Sequence, residues 1–202
     1  LKNSSGQYNT SMGHCALLCN TTADNNTAVG FQSLKANTTG NPHVAIGACA
    51  LCSNTTGDSN VAVGRRAMCG NTTGGDNTAL GHYALEKNIT GGDNTAVGIN
   101  SLCSNTTGGQ NTAIGKCALV TNTQGSHNVA IGEVALRVNT ASNNTAVGRA
   151  ALISNTTGND LIAIGCGALY SNTSGVDNIA IGYQSQYNTT TGHSNVSMGW
   201  QS

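Results

Sequence analysis

Apolar and polar positions recur along this chain every 17 residues. In "NTAVGFQSLKANTTG", Asn26 to Gly40, an apolar triplet ends in glycine, a Ser-Leu pair follows, and a polar Asn-Thr-Thr-Gly group closes the unit. Nearly the same words return as "NTALGHYALEKNITG" from Asn77 and "NTAIGKCALVTNTQG" from Asn111. The glycine behind the triplet stands at Gly13, Gly30, Gly47, Gly64, Gly81, Gly98, Gly115, Gly132, Gly148, Gly165, Gly182 and Gly199. Every step between them is 17 residues except Gly132 to Gly148, which is 16, so residues 1–202 read as one repeat domain of about twelve coils.

The period excludes helix pairs, because the apolar positions do not follow the spacing of one helix face. A T/V-A-V/I triplet suits a short strand, and the Asn, Thr and Gly behind it are turn formers. Strand, glycine corner, short second strand and turn make one coil of an all-β parallel β-solenoid, and twelve coils at about 4.8 Å give a rod about 58 Å long. The residue before each glycine is a medium or large aliphatic: Val29, Ile46, Val63, Leu80, Val97, Ile114, Ile131, Val147, Ile164 and Ile181, with Met12 and Met198 at the ends. This ladder is expected to form the core together with the Leu or Met four residues after the glycine, a series that runs to Leu169 and breaks at Gln186.

Two residues before the glycine stands an almost unbroken Ala/Ser ladder, so neither side of the triplet carries the polar alternation of a half-exposed strand. Either alanine fits a crowded wall or this ladder lies against another chain, as in a homotrimer. Neither end carries a distinct capping segment: "LKNSSG" from Leu1 keeps the phase of "LKANTTG" from Leu34 with one residue missing, and Ser202 sits at the small-residue position of the next coil. A longer repetitive protein or head-to-tail stacking into a filament would both fit.

Composition narrows the partners. Eight Lys and Arg balance eight Asp and Glu, charged residues are 8% and aromatics 3%, which leaves no basic footprint for nucleic acid or an anionic membrane. No apolar run approaches a spanning helix, so membrane insertion is not expected.

The words "NTAVG", "NVAIG" and "NIAIG", with the Ala-Leu pair and turn of the repeat, resemble the head repeats of trimeric autotransporter adhesins. The longer unit "NTAVGxxALxSNTTG" is similar to repeat stretches of bacteriophage tail-fibre-like surface proteins. The resemblance covers essentially the whole chain and implies a β-roll architecture in a surface fibre. The longer unit and the eight cysteines depart from such heads, and no receptor-binding residue carries over.

Candidate chemistry is sparse. Asn-x-Ser/Thr matches at Asn20, Asn37, Asn54, Asn71, Asn88, Asn105, Asn155, Asn172 and Asn188 are candidate N-glycan acceptors on a surface turn. Asn122 and Asn139 keep the asparagine without the sequon, so the turn does not need sugar. The eight cysteines, Cys15, Cys19, Cys49, Cys52, Cys69, Cys103, Cys117 and Cys166, are candidate inter-coil staples or inert small residues, with Cys52–Cys69 and Cys103–Cys117 as pairings. "CALC" at Cys49–Cys52 lacks the second half of a zinc site, and the five histidines, in differing phases, read as surface substitutions. No metal or cofactor other than covalent glycans is expected. With no P-loop, nucleophile elbow or HExxH, no enzyme is expected either.

These readings converge on an extracellular, cell-surface or virion-surface fibre that partners itself and a cell-surface or glycan receptor. The alternative is an ice- or carbohydrate-binding solenoid that uses a threonine rank such as Thr38, Thr55, Thr72 and Thr106.

Overall fold

The computed structural model describes residues 2–202; Leu1, the first residue of the "LKNSSG" phase match, lies outside them. The fold is an all-β parallel solenoid. Twelve strands of three or four residues, from β1 (Thr10–Met12) to β12 (Val196–Met198), form one sheet in sequence order. Each strand pairs with the next in parallel: between β6 (Thr95–Val97) and β7 (Thr112–Ile114), Thr95 faces Thr112, Ala96 faces Ala113 and Val97 faces Ile114. The short coil does not disturb this register, since β8 (Val129–Ile131) still sets Val129 opposite Thr145 in β9 (Thr145–Val147). Its missing residue is taken from the turn, where the Ala141 carbonyl accepts from Asn128 as a glycine carbonyl does elsewhere.

The expected second strand does not form. Behind each glycine runs a turn ribbon in which the second and fourth residues are left-handed, as at Asn100 (φ 56°) and Leu102 (φ 49°). Left-handed geometry is costly for leucine, and hydrogen bonding to both neighbouring coils offsets it. Asn100 N–H donates back to the His82 carbonyl at 3.0 Å, and Leu102 N–H donates forward to Ala118 at 2.9 Å. Between them, Ser101 N–H closes a local turn on Gly98 at 3.3 Å. The same geometry turns the leucine side chain into the coil, where Leu17 to Leu169 form a fully buried column.

The other wall of the core is alanine. Ala96, Ala113 and their equivalents in the strands, and Ala118 and its equivalents in the ribbon, are buried against the leucines. Val29, Ile46, Val63, Leu80, Val97, Ile114, Ile131, Val147, Ile164 and Ile181 do not form the core: they lie on the outer face of the sheet, with Ile46 40% and Ile114 39% exposed. The cause is the two-residue period of a strand, which sends Ala and its flanking aliphatics to opposite sides. A coil this narrow accepts one leucine layer, and only a methyl group fits across from it. Alanine is therefore the wall, and it is not available to another chain.

The corners close with equal economy. Gly115 sits at φ 135°, and a Cβ there would stand 2.5 Å from the Gly132 carbonyl of the next coil. Only glycine satisfies both the backbone angle and that approach.

Candidate self-association face

Two asparagine ladders hold the solenoid together along its axis. In the first, the sequon asparagines stack: Asn88 Nδ2 donates to Asn71 Oδ1 and Asn105 Nδ2 to Asn88 Oδ1, both at 2.8 Å. The second hydrogen of each amide closes its own turn, as in Asn105 Nδ2 to the Gly108 carbonyl at 2.8 Å. The second ladder is the asparagine that opens "NTAVG". There Asn94 Oδ1 accepts both the backbone N–H of Asn111 at 3.0 Å and its Nδ2 at 3.1 Å. Buried amides are costly unless paired, and stacking at one coil per step pairs most of them with their neighbours, Asn122 Oδ1 and Asn172 Oδ1 being exceptions.

This geometry changes the glycan reading. Asn20, Asn37, Asn54, Asn71, Asn88, Asn105, Asn155 and Asn172 are buried, not surface turn residues, and their amide nitrogens point into the ladder. A sugar on Nδ2 would replace one of its two donated hydrogens and have to find room in the buried ladder. Of the nine, Asn188 alone is exposed. The threonine rank is also committed: Thr38, Thr55, Thr72 and Thr106 each donate their hydroxyl to a carbonyl of the next coil at 2.9–3.1 Å.

His43 is likewise not a surface substitution. It occupies the second ladder's asparagine position in β3 (His43–Ile46), 2% exposed, and its Nδ1 accepts from Asn60 N–H at 3.1 Å. Burial pushes its pKa down, against the raising effect of the Gly57 backbone and of nearby Asp58. Beneath it, both polar atoms of the Asn26 side chain lack a partner, and His43 brings no amide to donate to Asn26 Oδ1 as the ladder asparagines do elsewhere.

All eight cysteines are free thiols. Cys52 and Cys69 occupy the same phase on adjacent coils with their sulfurs 3.1 Å apart. The pairing of Cys103 with Cys117 is not formed: the two stand in different columns, and Cys103 Sγ donates to Glu86 Oε2 at 3.6 Å. Among the described residues, no group of three His, Cys, Asp or Glu side chains is placed to hold a metal ion, and no helix is long and apolar enough to cross a membrane.

What the fold presents outward is the sheet. Its outer face carries two columns, Thr, Val or Ile three residues before the glycine and Val, Ile or Leu one before it, from β2 (Thr27–Val29) to β11 (Ile179–Ile181). No charged residue interrupts either column. The face is roughly 50 Å long and its two columns stand about 7 Å apart, a continuous strip and not the scattered apolar exposure of an ordinary monomer surface. Its two margins differ in charge. Five residues before the glycine stand Asp76, Asp93, Asp160 and Asp177, all exposed; just after the glycine stand Arg65, Lys116 and Arg149, with Glu133 paired to Lys116 at 3.8 Å. Sequence reasoning placed this aliphatic ladder inside because it ranked residues by hydrophobicity. The signal that would have located it is steric, since only alanine is small enough for the opposite side. The chain matches no protein-family model, no curated protein and no solved structure.

Proposed function

We propose that the chain is a structural element of an extracellular fibre, of the adhesin-head or tail-fibre kind, that self-associates through the outer face of its sheet. The observation that carries this reading is the outward sheet face, one column aliphatic throughout and the other Thr, Val or Ile, uninterrupted by charge and lying between an acidic and a basic margin. With its charged margins the face is of the size, roughly 800 Å², that one partner contributes to a standard interface, shared in a trimer between two neighbours. Copies arranged in parallel about an axis along the rod bring the acidic margin of one against the basic margin of the next. An antiparallel pair sets acid on acid. The charge pattern therefore favours a cyclic, parallel assembly, with the homotrimer as its expected order.

Sedimentation equilibrium of the purified chain over a wide dilution range tests this. The reading expects a mass that is a small whole multiple of 20.3 kDa and an affinity that weakens with salt. A chain that stays monomeric at all concentrations overturns it.

One observation supports a second reading. The strand face, unlike the committed Thr38 rank, pairs an outward threonine with an outward aliphatic, as at Thr95 and Val97 or Thr112 and Ile114, in flat ranks about 4.8 Å apart. Such a face could order ice-like water. A monomer that inhibits ice recrystallisation at low concentration would favour this reading over the fibre.

A further inference from the structure

The column five residues after the strand glycine reads Lys35, Cys52, Cys69, Glu86, Cys103 on successive coils. It places two thiols in contact, 3.1 Å from sulfur to sulfur, with Cys52 Sγ also 3.6 Å from the Cys69 carbonyl. Both side chains are half-buried, so a small reagent can reach them. Arg66, three residues before Cys69 on the same turn ribbon, is fixed by Glu86 at 2.9 Å, which holds a guanidinium beside the Cys69 sulfur. We propose that Cys52 and Cys69 are a dithiol site that reacts with small-molecule disulfides, Cys69 attacking and Cys52 resolving, to close a covalent bridge between adjacent coils.

The two sulfurs are not equivalent. The hydrogen bond from Cys52 and then the Arg66 guanidinium draw the Cys69 thiol down to about 6, against the opposing effect of burial. Cys52 is shifted upward, chiefly by its hydrogen bond to Cys69, and so keeps its proton. Cys103, in the same column, shows that position alone does not activate a thiol: burial and the Glu86 carboxylate push it up to about 11.

In the first step the Cys69 thiolate attacks one sulfur of R–S–S–R. A protein–S–S–R bond forms, the external disulfide breaks, and RS⁻ leaves to take a proton from water. Cys52 then loses its proton to solvent or to the departing thiolate and attacks Cys69 Sγ, expelling the second RS⁻. Two protein thiols are oxidised to one disulfide while one external disulfide is reduced to two thiols. The coil rise of about 4.8 Å lies within the Cα separation a disulfide spans, so closure needs only side-chain adjustment.

Oxidised glutathione at pH 6, followed by acid quenching and mass mapping of the folded chain, tests this. The expected product is a Cys52–Cys69 linked peptide and a loss of about 2 Da without adduct, formed on the order of tenfold faster than modification of any other cysteine. Cys52→Ser should trap a mixed disulfide about 305 Da heavier at Cys69. Cys69→Ser should slow reaction at Cys52 by a similar factor, and Arg66→Gln should move the rate profile to higher pH. Circular dichroism confirms that each variant keeps the solenoid. Adducts spread evenly over the eight cysteines, or undiminished reaction at Cys52 in Cys69→Ser, would overturn the assignment.

Discussion

Leu102 and Ile114 are both aliphatic members of long ladders, yet Leu102 is 0% exposed and Ile114 is 39% exposed. Hydrophobicity does not distinguish them; what stands beside each one does. Leu102 sits in a left-handed turn that aims it at the coil axis, whereas Ile114 flanks the inward-pointing Ala113 on a strand and is sent outward by the strand's alternation. In a coil with one layer of interior, the smaller residue takes the inside of the strand. The larger one is left on the outer face.

Substitution with aspartate separates the two ladders most sharply. Leu102→Asp puts an unpaired carboxylate between Leu85 and Leu119 in the buried column and removes a leucine whose burial stabilises by about 1.5–3 kcal/mol. The combined cost of about 5 kcal/mol or more should abolish folding, read as loss of the cooperative thermal transition. A melting curve like that of the parent would show that the leucine column is not the core.

The amide ladders rank next, because they tie coil to coil where the leucines fill the coil. Asn105→Ala removes donors to Asn88 Oδ1 and the Gly108 carbonyl and the acceptor for Asn122 Nδ2. Orphaning buried groups on three sides should cost about 3 kcal/mol in chemical denaturation. A cost below about 0.5 kcal/mol would mean that water or a turn rearrangement replaces the asparagine.

His43 offers a change of opposite sign. His43→Asn restores an amide above Asn26, whose two side-chain atoms have no partner, and should stabilise by about 1 kcal/mol. It should also flatten the acid limb of the stability profile. Burial lowers the folded pKa of His43 from the ordinary value of 6.5, so the unfolded chain binds the proton more readily. That contribution is complete above pH 6.5 and is lost as pH falls below it. Thermal melts of parent and variant at neutral and mildly acidic pH should therefore diverge on the acid side. Parallel curves would exclude His43 as the source.

Much of this was legible in the sequence, and the failures have physical causes. The glycine spacing gave the coil and the parallel register, because each glycine marks a contact that no other residue tolerates. The leucine column was legible for the same reason. The inside of the strand was not, since a T-A-V word is apolar on both sides and only the width of the finished coil decides between them. The sequon asparagines read as exposed because Asn-Thr-Thr-Gly is turn chemistry. Their burial follows from stacking identical amides, which appears only when many coils are placed together. The second asparagine ladder recurs in the sequence as the first letter of "NTAVG", but that it faces inward appears only in the structure, where His43 and Leu161 occupy its positions and are buried.

The other half of the comparison is the outer face, where the smallest effect on stability should accompany the largest effect on assembly. Ile114→Asp together with Ile131→Asp places two carboxylates on adjacent strands at positions that are 39% and 37% exposed. Each remains hydrated in the isolated chain, so the fold should lose about 1 kcal/mol or less, mainly from repulsion between the neighbouring charges. In a parallel assembly around the rod axis the same carboxylates are buried against the partners' aliphatic columns, where an unpaired charge is far more costly. The variant should keep a cooperative transition and the parent's circular dichroism yet sediment as a monomer under conditions where the parent associates. If it unfolds as Leu102→Asp is expected to, the two ladders are one core. If it associates as the parent does, the copies meet on some other surface.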